Sequence, residues 1–306
     1  MAATTRRPSL LAVNQPVVLE ASDITFRVGN KPLVSGVSVS FAPGRLHLVV
    51  GPNGAGKSTL IKVLARLLRP QEGVVRYEGA DVRDASEADL ARRRAVLSQA
   101  VEVAFPLTVR EVVMMGRYPH FGARPGPADE KTVDELMEFF DVTAFAGRNY
   151  QTLSGGERQR VNFARVLAQL WHAGSGAHAN DGAHANDSAR ADGGARSPSE
   201  TSATRPPCRY LFLDEPLTFL DIRHQIEFMK KVRAFTDAPD VVTVGVVHDL
   251  NLAARFADQI VLLNDGMIVA AGTPAEVLTA ERIREVFGVE TTFVPSGQSG
   301  VHLIFD

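Results

Sequence analysis

Apolar and polar residues alternate over Val17 to Phe26 and again over Val37 to Phe41, which predicts two half-buried strands with a turn at Asn30 and Pro32. Leu46-His47-Leu48-Val49-Val50 is instead almost continuously apolar and stops at Gly51, the pattern of a strand buried on both faces. Leu60, Ile61, Leu64, Leu67 and Leu68 then recur at helical spacing until Pro70. Thr108 and Glu111 make a T-x-x-E cap for a helix through Val112, Val113 and Met115. Pro127, with Asp129 and Glu130 in the first turn, opens another with Val133, Leu136, Met137 and Phe140 on one face. A third helix carries Val161, Ala164, Ala168 and Trp171 along one stripe. Strand-like runs return at Tyr210 to Leu213, Val241 to Val247 and Gln259 to Leu263, the last closed by the hairpin-type turn Asn264-Asp265-Gly266. Strands interleaved with helices predict an α/β protein.

The periodicity disappears from about His172 to Pro207, which is nearly all Ala, Gly, Ser, Asn, Asp, Arg and Pro and repeats G-A-H-A-N-D at Gly176 and Gly182. Such a segment cannot bury enough apolar surface to offset its ordering entropy, so a disordered insertion is expected over 172–207. His172, His178 and His184 recur every six residues within it. Repeat expansion accounts for that spacing better than a metal site does.

Composition narrows the classes. Of 306 residues, 45% are apolar, enough for a sizeable core, and 33 Lys+Arg against 35 Asp+Glu leave a net charge of −2. Neither a polyanion partner nor nucleic acid is implied. A single cysteine, Cys208, excludes an intrachain disulfide and fits a reducing compartment. No apolar run reaches the roughly 18–20 residues that cross a bilayer, so membrane contact is expected through other proteins. T-R-R-P-S-L-L (Thr5 to Leu11) has a superficial twin-arginine look, but the apolar stretch after it breaks at Asn14, Gln15 and Pro16; a flexible N-terminus over 1–16 is expected.

The chemistry sits in the loops after the apolar runs. G-P-N-G-A-G-K-S (Gly51 to Ser58) follows a strand and opens a helix, the context of a phosphate-binding loop. Gly51, Pro52, Asn53, Gly54, Ala55 and Gly56 would turn backbone N–H groups onto phosphates at a helix N-terminus. Lys57 would reach the β- and γ-phosphates and Ser58 would ligate Mg²⁺, with Thr59 at the α-phosphate. In Y-L-F-L-D-E-P (Tyr210 to Pro216), Asp214 ends an apolar strand where it can hold Mg²⁺, and Glu215 is placed to act as general base on an attacking water. D-E-P alone is equally ordinary turn chemistry. L-S-G-G-E-R-Q-R (Leu153 to Arg160) offers a second anion cradle, in which Ser154 caps a helix and Gly155 and Gly156 permit close approach.

Taken in order, with Gln99 in A-V-L-S-Q and His248 in V-V-H-D, these motifs resemble the ATP-binding cassette (ABC) ATPases over residues of about 18 to 290. The resemblance implies the P-loop NTPase fold of that family: a mixed-sheet RecA-like core, an antiparallel β subdomain and an inserted helical subdomain, here about 101–171 in an ATPase domain of 17–290, with 291–306 as a C-terminal extension. It implies ATP and Mg²⁺ as ligands. His248 matches the histidine that contacts the γ-phosphate, and Gln99 the glutamine that senses Mg²⁺ and the attacking water. Ser154, Gly155 and Gly156 would close on ATP held by a second copy of the chain in a head-to-tail dimer, with Asp221 at the interface. Glu157 stands where Gln is commoner, a neutral variant. Two positions depart from the family: Val28 replaces the usual adenine-stacking aromatic, and Phe219 a small residue.

L-T-V-R-E-V-V-M-M-G-R-Y-P-H (Leu107 to His120) is similar to the ATPases of bacterial importers of haem, ferric siderophores and vitamin B12. The stretch from Arg148 to Trp171, ending A-Q-L-W, looks most like the haemin-importer subunits. The implied role is ATP hydrolysis at the cytoplasmic face of the inner membrane. The implied partners are two transmembrane permease subunits and, through them, a periplasmic substrate-binding protein. A soluble ABC ATPase acting on nucleic acid or ribosomes would carry long coiled coils or two cassettes, and this chain has neither; for an exporter, the Leu107 to His120 stretch is of the wrong type.

Overall fold

The computed structural model describes residues 17–98, 105–171, 207–218, 220–296 and 300–306. Gln99, Phe219, the 1–16 stretch and the insertion up to residue 206 lie outside the described residues.

The N-terminal alternation becomes β1 (Leu19–Val28) and β2 (Lys31–Phe41), an antiparallel pair with Leu19 opposite Phe41 and Val28 opposite Lys31. The turn is tighter than expected. Gly29, at φ 58, and Asn30 make it, and Pro32 falls inside β2. Because β2 is an edge strand, a residue without an N–H is tolerated there. There follow β3 (Arg45–Val50), α1 (Lys57–Leu64), β4 (Glu72–Tyr77), β5 (Ala80–Asp81), α2 (Glu87–Arg93), β6 (Arg94–Leu97), α3 (Val109–Met114), α4 (Pro127–Phe139) and α5 (Gly155–Ala168). The remainder comprises β7 (Arg209–Asp214), α6 (Ile222–Thr236), β8 (Val241–Val246), α7 (Leu250–Phe256), β9 (Gln259–Asn264), β10 (Met267–Gly272), α8 (Pro274–Val277), α9 (Ala280–Phe287), β11 (Thr291–Ser296) and β12 (Gly300–Phe305).

Three sheets result. One is antiparallel, in the order β2-β1-β4-β5; a second runs β10-β9-β3-β8-β7-β6, parallel except for β10; β11 and β12 form a separate hairpin. The apolar runs of β3, β7 and β8 are the central strands of the mixed sheet, covered on both faces. Tyr210 and Phe212 of β7 join a core with α1 and the antiparallel sheet, whereas Leu211 and Leu213 join one with α3, α4, α5 and α6. Period-two alternation thus sorts one continuous apolar run into two cores.

Several helices stop earlier than their periodicity suggests. Arg66, at φ 54, turns the chain left-handed after α1, so Leu67 is 50% exposed, no longer on the helical stripe. Past the end of α3, Met115 continues in a 3₁₀ turn through His120. Trp171 lies three residues beyond α5 yet is buried, with its indole N–H donating to Glu135 at 2.9 Å. No helix among the described residues is long and apolar enough to cross a membrane.

Arg117 ties the helical layer together. Its guanidinium donates to the carbonyls of Ala168 at 2.7 Å and Trp171 at 3.0 Å and pairs with buried Asp129 at 3.0 Å. His120 adds a ring-nitrogen contact of 2.8 Å to the Gln169 carbonyl.

Candidate functional site

Gly51 leaves the end of β3 at φ 152 and Gly56 enters α1 as its N-cap at φ 95. A Cβ at Gly51 would collide with the Leu263 carbonyl, and one at Gly56 with the Leu33 carbonyl, so both positions demand glycine. Those collisions also show what braces the loop: β2 on one side and the end of β9 on the other. The β9–β10 turn completes the support, since Gly266 N–H donates to Ala55 O at 3.1 Å. Asn53 and Gly54 are exposed at the loop tip, with Ser58 and Thr59 half-buried in the first turn of α1.

Lys57 is buried, and its ammonium donates to the carbonyls of Gly51 and Pro52, each at 2.8 Å. Burial pushes its pKa below the ordinary lysine value, and the carboxylates of Glu215 and Asp214 pull it back. The loop that follows β3 and the acids that end β7 emerge at the same edge of the sheet, from parallel strands that both pair with β8. Asp214 is 6% exposed at the end of β7, and its Oδ1 is buried with no hydrogen-bond partner. A buried carboxylate oxygen left bare beside a phosphate loop fits a cation or its bound water. Among the described residues no group of three His, Cys, Asp or Glu could hold a metal.

Glu215 sits at φ 52, a left-handed conformation that is costly for a residue with a side chain. Its Oε1 is 2.9 Å from His248 Nε2, joining the ends of β7 and β8. The adjacent Asp249 caps α7, accepting from the N–H groups of Asn251 and Leu252.

A second group lies at the start of α5. Ser154 Oγ accepts from Glu157 N–H at 3.3 Å, and Glu157 Oε2 accepts from Ser154 N–H at 2.7 Å, a reciprocal capping box. The backbone N–H and the hydroxyl of Ser154, both acting on the carboxylate, hold the Glu157 carboxyl below the usual glutamate range. Glu157, expected to be neutral, thus has a structural task that Gln could share. Gly156 faces Leu220, whose neighbour Asp221 caps α6 by accepting from His224 N–H at 2.9 Å. Val28, at the tip of the β1–β2 hairpin, is 61% exposed.

The site can now be set beside known proteins. A family model described as ABC transporter matches residues 34–170. The hemin import ATP-binding protein HmuV of Rhizobium meliloti is 39% identical over 271 residues, covering 89% of this chain and 91% of that protein. Its Bordetella pertussis counterpart is 42% identical over 274 residues, covering 90% and 93%. This chain belongs to the ABC transporter family, among its ATP-binding subunits. Such subunits hydrolyse ATP, and the chain is an ATPase. Its fold matches a transporter assigned to the metal-chelate type, in an inward-facing conformation, with TM-score 0.71 and 20% identity over 95% of this chain and 97% of that one. It also matches a dimeric bacterial ABC transporter cassette, with TM-score 0.63 and 22% identity over 84% and 98%.

Within this ABC ATPase the expected residues fall into two groups. Gly51 to Thr59, Asp214, Glu215 and His248 converge on the phosphate loop; Ser154, Gly155, Gly156 and Asp221 gather at the starts of α5 and α6. Sequence reasoning missed the link between them: Gln159 Nε2–H of α5 donates to Pro216 O at 2.7 Å, next to Glu215. Its signal was only that Gln159 lies inside the L-S-G-G-E-R-Q-R motif, on the helix face turned to the D-E-P loop.

Proposed function

We propose that this ATPase powers haem import across the bacterial inner membrane. It would work as a head-to-tail dimer docked at the cytoplasmic face on two permease subunits that receive haem from a periplasmic binding protein. The observation that carries the cargo is the identity of 39–42% over about nine-tenths of the chain to proteins named for hemin import.

The phosphate loop binds the triphosphate through backbone N–H groups at the start of α1. Lys57 swings from the Gly51 and Pro52 carbonyls to the β- and γ-phosphates, trading two neutral acceptors for charged ones. Ser58, Asp214 and Gln99 would hold Mg²⁺, which neutralises phosphate charge when bound. Glu215 orients the attacking water and accepts its proton, and His248 exchanges its Glu215 contact for the γ-phosphate. Ser154, Gly155 and Gly156 close over the partner copy's γ-phosphate. Exposed Phe105 lies just before the Leu107 to His120 segment proposed to meet the permease, and exposed Tyr118 lies within it.

Deleting the gene in its native host tests the cargo. Growth on haem as sole iron source should be lost, growth on free iron kept, and rescue should need an intact Glu215. Persistent growth on haem with no second haem system, together with a siderophore or vitamin B12 defect, would overturn haem as cargo.

A further inference from the structure

The C-terminal hairpin carries none of the sequence motifs, yet it is fastened beside His248. Asn251 does the fastening. Its Nδ2–H donates to Leu303 O at 3.1 Å and its Oδ1 accepts from Leu303 N–H at 2.8 Å. A primary amide paired this way with one strand residue supplies the donor and acceptor that a neighbouring strand would offer. Leu303 is 4% exposed in the core shared with α6 and α7, and Phe293 of β11 packs against that core.

The path from Asn251 to the catalytic site is short. Asp249 Oδ1 accepts from Asn251 N–H at 2.7 Å and from Leu252 N–H at 3.0 Å, which fixes the first turn of α7. His248 immediately precedes that cap, with its Nε2 2.9 Å from Glu215 Oε1. α7 has only seven residues, too few to hold a conformation without tertiary support. That support comes from Leu250 and Ala253 in the core and from the Asn251–Leu303 pairing.

We propose that Asn251 is a positioning residue for His248, and that the β11–β12 hairpin braces the histidine through the two-point amide pairing on Leu303. The proposal rests on the reading of His248 as the γ-phosphate contact. The brace sets where the imidazole stands when it leaves Glu215, so it acts on turnover and not on nucleotide binding.

The test uses the full chain. Asn251→Asp is nearly isosteric and sets a carboxylate oxygen against the Leu303 carbonyl, breaking one of the two bonds; Asn251→Ala removes both. Ile304→Ser, on the exposed face of the same strand, serves as control. Both Asn251 variants should lose kcat, by about tenfold for Asn251→Ala, with KM for ATP nearly unchanged, while the control keeps both constants. In a His248→Ala background Asn251→Ala should cost nothing further, because the residue it positions is gone. Unchanged kcat in both variants would overturn the proposal, as would losses that multiply with His248→Ala, the behaviour of general destabilisation. Should Asn251→Ala melt below the assay temperature, Asn251→Asp carries the same comparison. Wild-type turnover by His248→Ala itself would remove the reading of His248, and the brace with it.

Discussion

Glu215 combines a left-handed backbone with a 2.9 Å contact to His248, so its side chain is held at the end of β7 by both main chain and partner. If it orients and deprotonates the attacking water, Glu215→Gln should keep ATP binding and lose kcat by a factor of about 10² or more. Lys57→Ala should weaken ATP binding itself; a filter-binding assay beside phosphate-release kinetics separates the two. His47 on β3 gives a second test, of stability. Burial lowers its pKa from 6.5 to about 4, opposed by the bond from its Nε2 to Ala42 O. The unfolded chain therefore takes up a proton that the folded chain refuses. The stability this supplies is whole above pH 6.5 and is lost as pH falls towards 4, about 3 kcal/mol in all. Urea denaturation at pH 7 and pH 4.5 should show a steeper loss in the wild type than in His47→Gln, which cannot titrate. The chemistry of these residues was legible from motif and spacing; the strain at Glu215 was not, because φ is set by the packing of a whole turn.

At the scale of elements, α5 combines three roles. Its first turn holds the Ser154–Glu157 capping box, its middle reaches the D-E-P loop through Gln159, and its last turn receives Arg117 and His120. Leu107 to His120, which resembled the importers of haem, siderophores and vitamin B12, and the A-Q-L-W ending, which resembled the haemin-importer subunits, therefore touch one another. Arg117 bonds to Ala168 and Trp171, and His120 to Gln169. Separated by some fifty residues in the chain, they form one packed unit in space. Gln159→Leu should leave ATP binding intact while lowering kcat several-fold, because it frees the Pro216 carbonyl beside Glu215. A matching loss of ATP affinity, measured by a fluorescent nucleotide, would count against that account. Where periodicity misjudged a boundary, a tertiary contact was the cause. α1 stops because the left-handed Arg66 is tied to Ala85 O at 2.7 Å, a partner nineteen residues away that no local pattern displays.

At the scale of the molecule, the 172–206 segment interrupts the chain between α5 and β7, and its flanks lie together. Arg209 Nη1–H donates to Leu170 O at 3.0 Å. A short Gly/Ser link can then replace the segment at little entropic cost. The shortened chain should keep its melting temperature within a few degrees and its ATPase rate within about twofold. A large fall in either, followed by a thermal melt and a phosphate-release assay, would give the segment a task. The two groups of site residues are themselves a statement about assembly. The phosphate loop has its lysine and the acids ending β7 in one group, and the start of α5, with Ser154, Gly155 and Gly156, forms the other. In the proposed head-to-tail dimer the two would come together.

By itself the sequence determined the α/β class, the phosphate loop, the order of the motifs and the acids at the end of β7. Each of these depends on neighbours within a few residues, and strand, glycine loop and helix follow one another directly. It also marked Asn264 to Gly266 as a turn, though not that the turn supports the phosphate loop through Ala55. Tertiary structure alone decided the rest. Glu215 meets His248, Gln159 meets Pro216 and Asn251 meets Leu303 across separations of 33, 57 and 52 residues. Which residues lie together over such spans depends on how sheets and helices stack. The C-terminal hairpin shows the limit most plainly, since its strands had no motif to announce them and their place on α7 exists only once the cores have formed.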